Sequence, residues 1–317
     1  MMREKGKVTI NDTELGFFLL GEDKKKPVLL VCGGGPGIPE YLLEDLYPSV
    51  LSKHFIVCYF EYRGTGLSFD KDVDPKKMTT ELYLSDIDGM TEYLRHRFQT
   101  EKIYIMGHSF GTYMALNTVY RHPEKYTAYL AVSQNTNQQE SEYRAYDYMI
   151  EQYTKRHNSK MVSKFKEYPI YDSKEAFNEY CTSGLRDKAM HELGVGTARD
   201  MHSVVSELFF PSLRCKAYTM GERINIWRGK VKANHFAVTD DAFHFNAFKN
   251  IEKLEIPVYF FAGRHDYTCC ESLQEEYYQK LNAPEKRYYL YPDAAHSPVF
   301  EDAEQTDKYL KEIIGNK

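Results

Sequence analysis

Apolar residues along this chain follow two rhythms. Short runs with no polar break alternate with longer stretches in which apolar positions recur every three or four residues. Val8-Thr9-Ile10 and residues 15–20 flank Asn11-Asp12 and predict an N-terminal antiparallel hairpin. Pro27-Val28-Leu29-Leu30-Val31-Cys32 has no alternation, the pattern of a strand buried on both faces of a parallel sheet. Further runs of this kind occupy 55–60, Ile103-Tyr104-Ile105-Met106, Tyr129-Leu130-Ala131-Val132, Pro257-Val258-Tyr259-Phe260-Phe261 and 287–291. Between them the spacing predicts helices over 38–52, 79–98 (Leu82, Ile87, Met90 and Leu94 on one side), 110–120, 271–281 and 301–314. Strands alternating with helices of this length imply an α/β architecture with a mostly parallel sheet.

The rhythm lapses between about 135 and 249, where helical stretches appear without a convincing buried strand, and then resumes. The simplest organisation is one α/β core built from residues 1–134 and 250–317, with 135–249 inserted as a helical lid. No internal repeat or low-complexity linker interrupts it.

Composition narrows the class. Hydrophobic residues make up 42% of the 317 positions and charged residues 27%, with a net charge of −5, which excludes a disordered chain. No run of about 18 apolar residues predicts a membrane span. The charged start Met1-Met2-Arg3-Glu4-Lys5 leads into no apolar segment of the kind a cleaved signal carries. Without long basic runs, nucleic acid is not the expected partner. Six cysteines at this length point to reduced thiols and a cytoplasmic setting. No CxxC or His-x-His spacing predicts a metal site, and nothing calls for a cofactor.

The chemistry concentrates in four loops. Gly107-His108-Ser109-Phe110-Gly111 fits the G-x-S-x-G elbow, in which a strand turns sharply into a helix and leaves the serine oxygen exposed. The pentapeptide is weak alone and gains weight from the buried strand before it and the helix after it. A serine hydroxyl needs a base to take its proton and an acid to orient that base. In this architecture the chain order is Ser, then Asp or Glu, then His. Asp266, in Gly263-Arg264-His265-Asp266, follows one buried strand, and His296, in Ala294-Ala295-His296-Ser297-Pro298, follows the next. Either alone has an ordinary alternative, Asp266 as a helix cap and His296 as a solvated or packed side chain. Together they fall on carboxyl-end loops, the same edge as Ser109. The oxyanion of an acyl-transfer intermediate needs donors. The N–H of Phe110 is one, and the glycine-rich loop Gly33-Gly34-Gly35-Pro36-Gly37 supplies the second, with Gly35 the expected donor and Gly34 beside the substrate. That loop lacks G-x-G-x-x-G or Walker spacing, which disfavours phosphate cradling.

Cys32-Gly33-Gly34-Gly35-Pro36-Gly37, Phe60-Glu61-Tyr62-Arg63-Gly64-Thr65-Gly66-Leu67-Ser68, the Ser109 elbow, Gly263-x-x-Asp266 and Ala295-His296 resemble the α/β-hydrolase fold, and more narrowly its proline iminopeptidase branch, with HGGPG, D-x-R-G-x-G-x-S and G-x-S-x-G motifs. The resemblance covers about residues 5–134 and 250–317, and the helical stretch corresponds to that branch's lid. It implies Ser109 as nucleophile, Asp266 as acid, His296 as base, and Gly35 with Phe110 as oxyanion hole. Arg63 is expected to tie down a loop.

Gly33 stands where the branch usually has His, and Glu61 where it usually has Asp. Members that release N-terminal proline hold the free amine with carboxylates. In this chain the lid carboxylates Glu207 and Glu222 are the candidate anchors, and Tyr267 follows the acid. Trp227, with Phe209 and Phe210, is a candidate for an apolar pocket wall. The expectation is a serine hydrolase acting on a small peptide, most simply an aminopeptidase releasing small N-terminal residues. A carboxylesterase is the alternative, and a non-catalytic binding protein on the same fold is the alternative of another class. Oligomeric state is not legible.

Overall fold

A computed structural model describes residues 2–315. Eight strands form one sheet: β1 (Met2–Ile10), β2 (Thr13–Gly21), β3 (Val28–Cys32), β4 (Ile56–Phe60), β5 (Ile103–His108), β6 (Tyr126–Val132), β7 (Val258–Gly263) and β8 (Lys286–Tyr291). Their spatial order is β1-β2-β4-β3-β5-β6-β7-β8. β1 and β2 are an antiparallel hairpin, closed between Ile10 and Thr13 by Asn11 and Asp12 at φ 48° and 59°. Positive φ at both turn residues matches the right-handed twist of paired strands. β2 joins β4 antiparallel, and every later pairing is parallel.

The unbroken apolar runs are explained by helices on both faces. In β3, Leu30 and Cys32 belong to the core shared with the helices Thr80–Phe98 and Phe110–Arg121, while Leu29 and Val31 belong to the core on the other face, under Glu40–Leu46 and Ala303–Gly315. Successive side chains point to opposite faces, so a strand covered on both sides needs apolar residues at every position.

Two predicted helices are divided. The 38–52 segment forms Glu40–Leu46 and Leu51–His54, separated around Pro48, because proline lacks an N–H and restricts the residue before it. At the C-terminal end, Pro298–Glu301 and Ala303–Gly315 are separated by Asp302, whose carboxylate accepts from the N–H of Gln305.

Between β6 and β7, neighbours in the sheet, the described residues form helices and no strand, with isolated bridges from Asn137 to Asn246 and from Lys253 to Asn282. The helices Gln138–Lys155, Ser159–Lys166, Lys174–Cys181 and Gly184–Glu192 share a core of their own, with Tyr153, Phe165 and Tyr180 fully buried. The later part behaves differently. Ala233, Phe236 and Val238 join one sheet core, and Tyr218 and Ile226 join the other. No described helix is long and apolar enough to cross a membrane.

The strand order reverses at β3. The chain passes from β3 to β4 on one side and returns to β5 on the other. Loops leaving β3 and β5 therefore diverge and open a crevice at the carboxyl edge, where α/β sheets bind ligands.

Candidate active site

Ser109 sits between β5 and the helix Phe110–Arg121 at φ 56° and ψ −123°, a conformation L-residues rarely adopt. The sharpness of the turn demands glycine on both sides. A Cβ on Gly107 would lie 2.6 Å from the carbonyl oxygen of Gly111, and one on Gly111 would lie 1.9 Å from that of Cys32. The N–H of Ser109 donates to Val132 O at 3.0 Å, tying the elbow to β6. Phe110 opens the helix, where backbone N–H groups have no intrahelical acceptor.

Asp266 follows β7 and is fully buried. Its Oδ1 accepts from the N–H groups of Thr268 and Cys269, both at 2.9 Å, and its Oδ2 from Gln274 Nε2 at 3.2 Å. His296 follows β8, and its Nδ1 lies 2.9 Å from Oδ2 and 3.0 Å from Oδ1 of Asp266. A buried carboxylate with this many donors is held in place and ready to orient an imidazole. Glu301 fixes the His296 loop by accepting from the N–H groups of Ala295 (3.1 Å), Ser297 (2.9 Å) and Arg199 (2.6 Å). Burial pushes the Glu301 carboxyl upward, against the pull of these bonds.

The glycine-rich loop lies over the elbow. Gly34 donates its N–H to Glu40 Oε2 at 3.0 Å, and Gly35 is at φ 116°. The helix Met220–Ala233 reaches this loop through Lys230, whose Nζ donates to Gly35 O at 3.1 Å, Pro36 O at 3.2 Å and Asn234 Oδ1 at 3.1 Å. Burial lowers the Lys230 ammonium from its ordinary value.

A cavity of about 240 Å³ stands above Ser109 and His296, with Gly34 and Gly35 on its floor. Its roof includes Arg186, Asp187, Met190 and Leu208. Arg186 makes a bidentate pair with Glu142, both contacts at 2.6 Å, and meets Asp187 at 2.8 Å. The side chain of Asp187 is otherwise 71% exposed. Among the described residues no group of three or more His, Cys, Asp or Glu side chains is placed to hold a metal ion.

Ser109, His296, Gly34 and Gly35 thus line one cavity, Asp266 stands behind His296, and Phe110 follows the serine. The lid candidates lie elsewhere. Glu222 caps its own helix at Thr219 and pairs with Lys5 at 2.5 Å. Glu207 accepts from the N–H groups of His202 and Ser203, both at 3.0 Å, and lines a neighbouring cavity of about 510 Å³. Trp227 donates to Ser212 Oγ at 2.8 Å and borders a surface groove with Phe69 and Ile224. Tyr267 stacks on Tyr148 with ring centroids 3.9 Å apart. Arg63 holds Asp86 with two bonds, 2.8 and 2.7 Å, and so ties a loop rather than facing the cavity. Glu40, Arg186, Asp187 and Lys230 carry no local motif that marks them, and distant contacts alone bring them to the site. His108 was visible in the elbow, at a position whose side chain the motif leaves undefined.

A family model described as alpha/beta hydrolase fold matches residues 27–303. The chain is 28% identical over 299 residues to the probable aminopeptidase YbaC of Bacillus subtilis, spanning 93% of this chain and 91% of that protein. It is 21% identical to a proline iminopeptidase of Heyndrickxia coagulans, spanning 99% of this chain and 98% of that one. The crystal structure of a proline iminopeptidase from Mycobacterium smegmatis superposes with a TM-score of 0.69 at 14% identity, covering 99% of this chain and 97% of that one, a likeness of fold. The family model spans most of the chain, and the protein belongs to the α/β-hydrolase fold family.

Proposed function

We propose that the protein is a serine hydrolase of proline iminopeptidase type that releases small N-terminal residues from short peptides. The observation that carries this is the strained Ser109 elbow beside a buried Asp266–His296 pair on the loops of adjacent strands. In the proposed reaction Ser109 Oγ attacks the scissile carbonyl carbon as His296 takes the hydroxyl proton. Asp266 keeps the proton-bearing Nδ1 of His296 turned toward itself and stabilises the imidazolium that forms. The N–H groups of Phe110 and Gly35 receive the negative charge that develops on the carbonyl oxygen. Collapse breaks the C–N bond, and the departing amine takes the proton from His296. Water then attacks the acyl-enzyme with His296 again as base, releasing the acid and restoring Ser109.

The cavity's small volume supports a small acyl residue, and Asp187 is the carboxylate at its roof with an exposed face, placing it to hold the substrate's free amine. The helical stretch 135–249 serves as the lid that supplies this roof. A carboxylesterase is the second proposal. It is favoured by one observation: Glu207 and Glu222 are both committed to backbone donors, and Glu222 to Lys5 as well.

The test is a panel of aminoacyl-naphthylamides, their N-blocked counterparts and short-chain nitrophenyl esters, run on wild type and Ser109→Ala. Turnover restricted to free amines supports the peptidase, indifference to the amine supports the esterase, and full turnover by Ser109→Ala removes both.

A further inference from the structure

One residue before the proposed nucleophile, His108 is buried at 3% exposure against Glu40, also 3% exposed. Neither belongs to the Ser109, Asp266 and His296 set, yet the pair joins the elbow to the glycine-rich loop and the His296 loop. His108 Nδ1 lies 2.7 Å from Glu40 Oε1, and His108 Nε2 lies 2.8 Å from the backbone carbonyl oxygen of His296. Glu40 Oε2 takes the N–H of Gly34 at 3.0 Å. The His296 carbonyl takes a second bond, from Ser133 Oγ at 2.8 Å.

The proton count follows from these partners. A carbonyl oxygen only accepts, so Nε2 carries a hydrogen. Nδ1 faces a carboxylate oxygen at 2.7 Å, and without a hydrogen there two lone pairs would confront each other in a dry site. One hydrogen therefore lies between Nδ1 and Oε1, while the Gly34 N–H holds the second oxygen as an acceptor. We propose that Glu40 and His108 act as a buried carboxylate–imidazolium positioning pair that locks the glycine-rich loop and the His296 loop to the Ser109 elbow. The pair fixes the peptide beside Gly35 through Gly34, and it fixes the backbone from which the His296 ring projects. This rests on Ser109 being the nucleophile.

The groups that face His108 are Glu40 from the helix Glu40–Leu46, Asp266 from the loop after β7, and His296 from the loop after β8. Arg186, Asp187, His191 and Lys230 line the same cavity from the helical roof. Burial pulls the imidazole down, but the charge and hydrogen bond of Glu40, then the His296 carbonyl and the charge of Asp266, carry it above the ordinary histidine value. Loss of its second proton as pH rises leaves one of the two contacts without a hydrogen and frees one loop. Activity therefore acquires an alkaline limb set by His108.

The experiment compares wild type with Glu40→Ala, His108→Phe and Glu40→Gln. Glu40→Ala and His108→Phe are expected to lower kcat by about 10- to 100-fold, the cost of a small misplacement, with KM little changed. Glu40→Gln differs, because its amide oxygen accepts from Gly34 while its NH₂ donates to a neutral His108. It is expected to recover most of the loss and to lack the alkaline limb. A merely structural role would not move that limb. An unchanged limb in Glu40→Gln, or wild-type kcat in the two truncations, overturns the proposal. If the truncations do not fold, nitrogen-15 NMR of the wild type decides: a His108 ring that keeps both N–H protons to a pH above the ordinary histidine value supports it, and one that loses a proton below that value overturns it. Fluorophosphonate labelling separates the two levels of inference. A wild type that labels at Ser109 leaves failure to the pair alone, whereas a wild type that neither labels nor turns over substrate defeats the serine assignment and this proposal with it.

Discussion

His296 Nδ1 stands within 2.9 and 3.0 Å of both oxygens of Asp266, and the same carboxylate takes three further donors from Thr268, Cys269 and Gln274. Replacing Asp266 with Asn would put an amide NH₂ opposite the ring and favour the wrong tautomer. Turnover by Asp266→Asn is expected to fall by about 10³- to 10⁴-fold with the fold intact by circular dichroism. A loss below tenfold would show that His296 does not depend on this partner.

Ser109 occupies a conformation suited to glycine. Such strain amounts to about 1–3 kcal/mol, and the greater freedom of glycine in the unfolded chain returns about 0.5–1 kcal/mol of it. Ser109→Gly is therefore expected to melt above wild type while losing all turnover, as thermal denaturation and an activity assay would record. A lower melting temperature would mean that the elbow stores no strain.

Asp187 separates the two proposed activities. If it holds the substrate amine through a charge-assisted hydrogen bond, Asp187→Asn should raise KM for aminoacyl-naphthylamides by roughly 10- to 100-fold. KM for nitrophenyl esters without an amine should stay within about twofold. Equal effects on both substrates would place the amine elsewhere.

Lys230 ties the helix Met220–Ala233 to Gly35 and Pro36. Lys230→Met leaves those two carbonyls without that donor and loosens the loop that carries the proposed oxyanion donor. A loss of about tenfold in kcat is expected, equivalent to about 1.4 kcal/mol, within the range of a hydrogen bond to a charged group. Unchanged kcat would assign the lysine to packing only.

Glu61 gives a pH signature in stability. Burial raises its carboxyl to about 7, although bonds from Tyr218 (2.6 Å) and the Leu67 N–H (2.5 Å) pull the other way. A carboxyl whose value is higher folded than unfolded binds more protons in the folded state, so stability declines as pH rises from about 4.5 to about 7. The decline amounts to roughly 3 kcal/mol at most. Melting curves across that range should slope down in wild type and flatten in Glu61→Gln. Parallel curves would locate the proton elsewhere.

The strands were legible because burial on both faces leaves an unbroken apolar run, as at β3, β5 and β7. Helix existence was equally clear, but breaks were not, since Pro48 and Asp302 act over one or two residues inside otherwise periodic stretches. The elbow was legible because steric closeness of Gly107 and Gly111 to neighbouring backbone leaves glycine no substitute. Glu207 and Glu222 drew notice as lid carboxylates, yet neither lines the cavity above Ser109: His202 and Ser203 hold the first, and Thr219 and Lys5 the second.

By itself the sequence determined the α/β alternation, the hairpin, and the order in which Ser109, Asp266 and His296 leave their strands, all properties of local pattern and chain order. Only the tertiary structure decided which side chains surround Ser109. Glu40 meets His108 across 68 residues, and Lys230 meets Gly35 across 195. Such contacts have no local signature, because hydrogen bonds over that separation arise from how packed helices and loops converge at the sheet edge, not from any spacing along the chain.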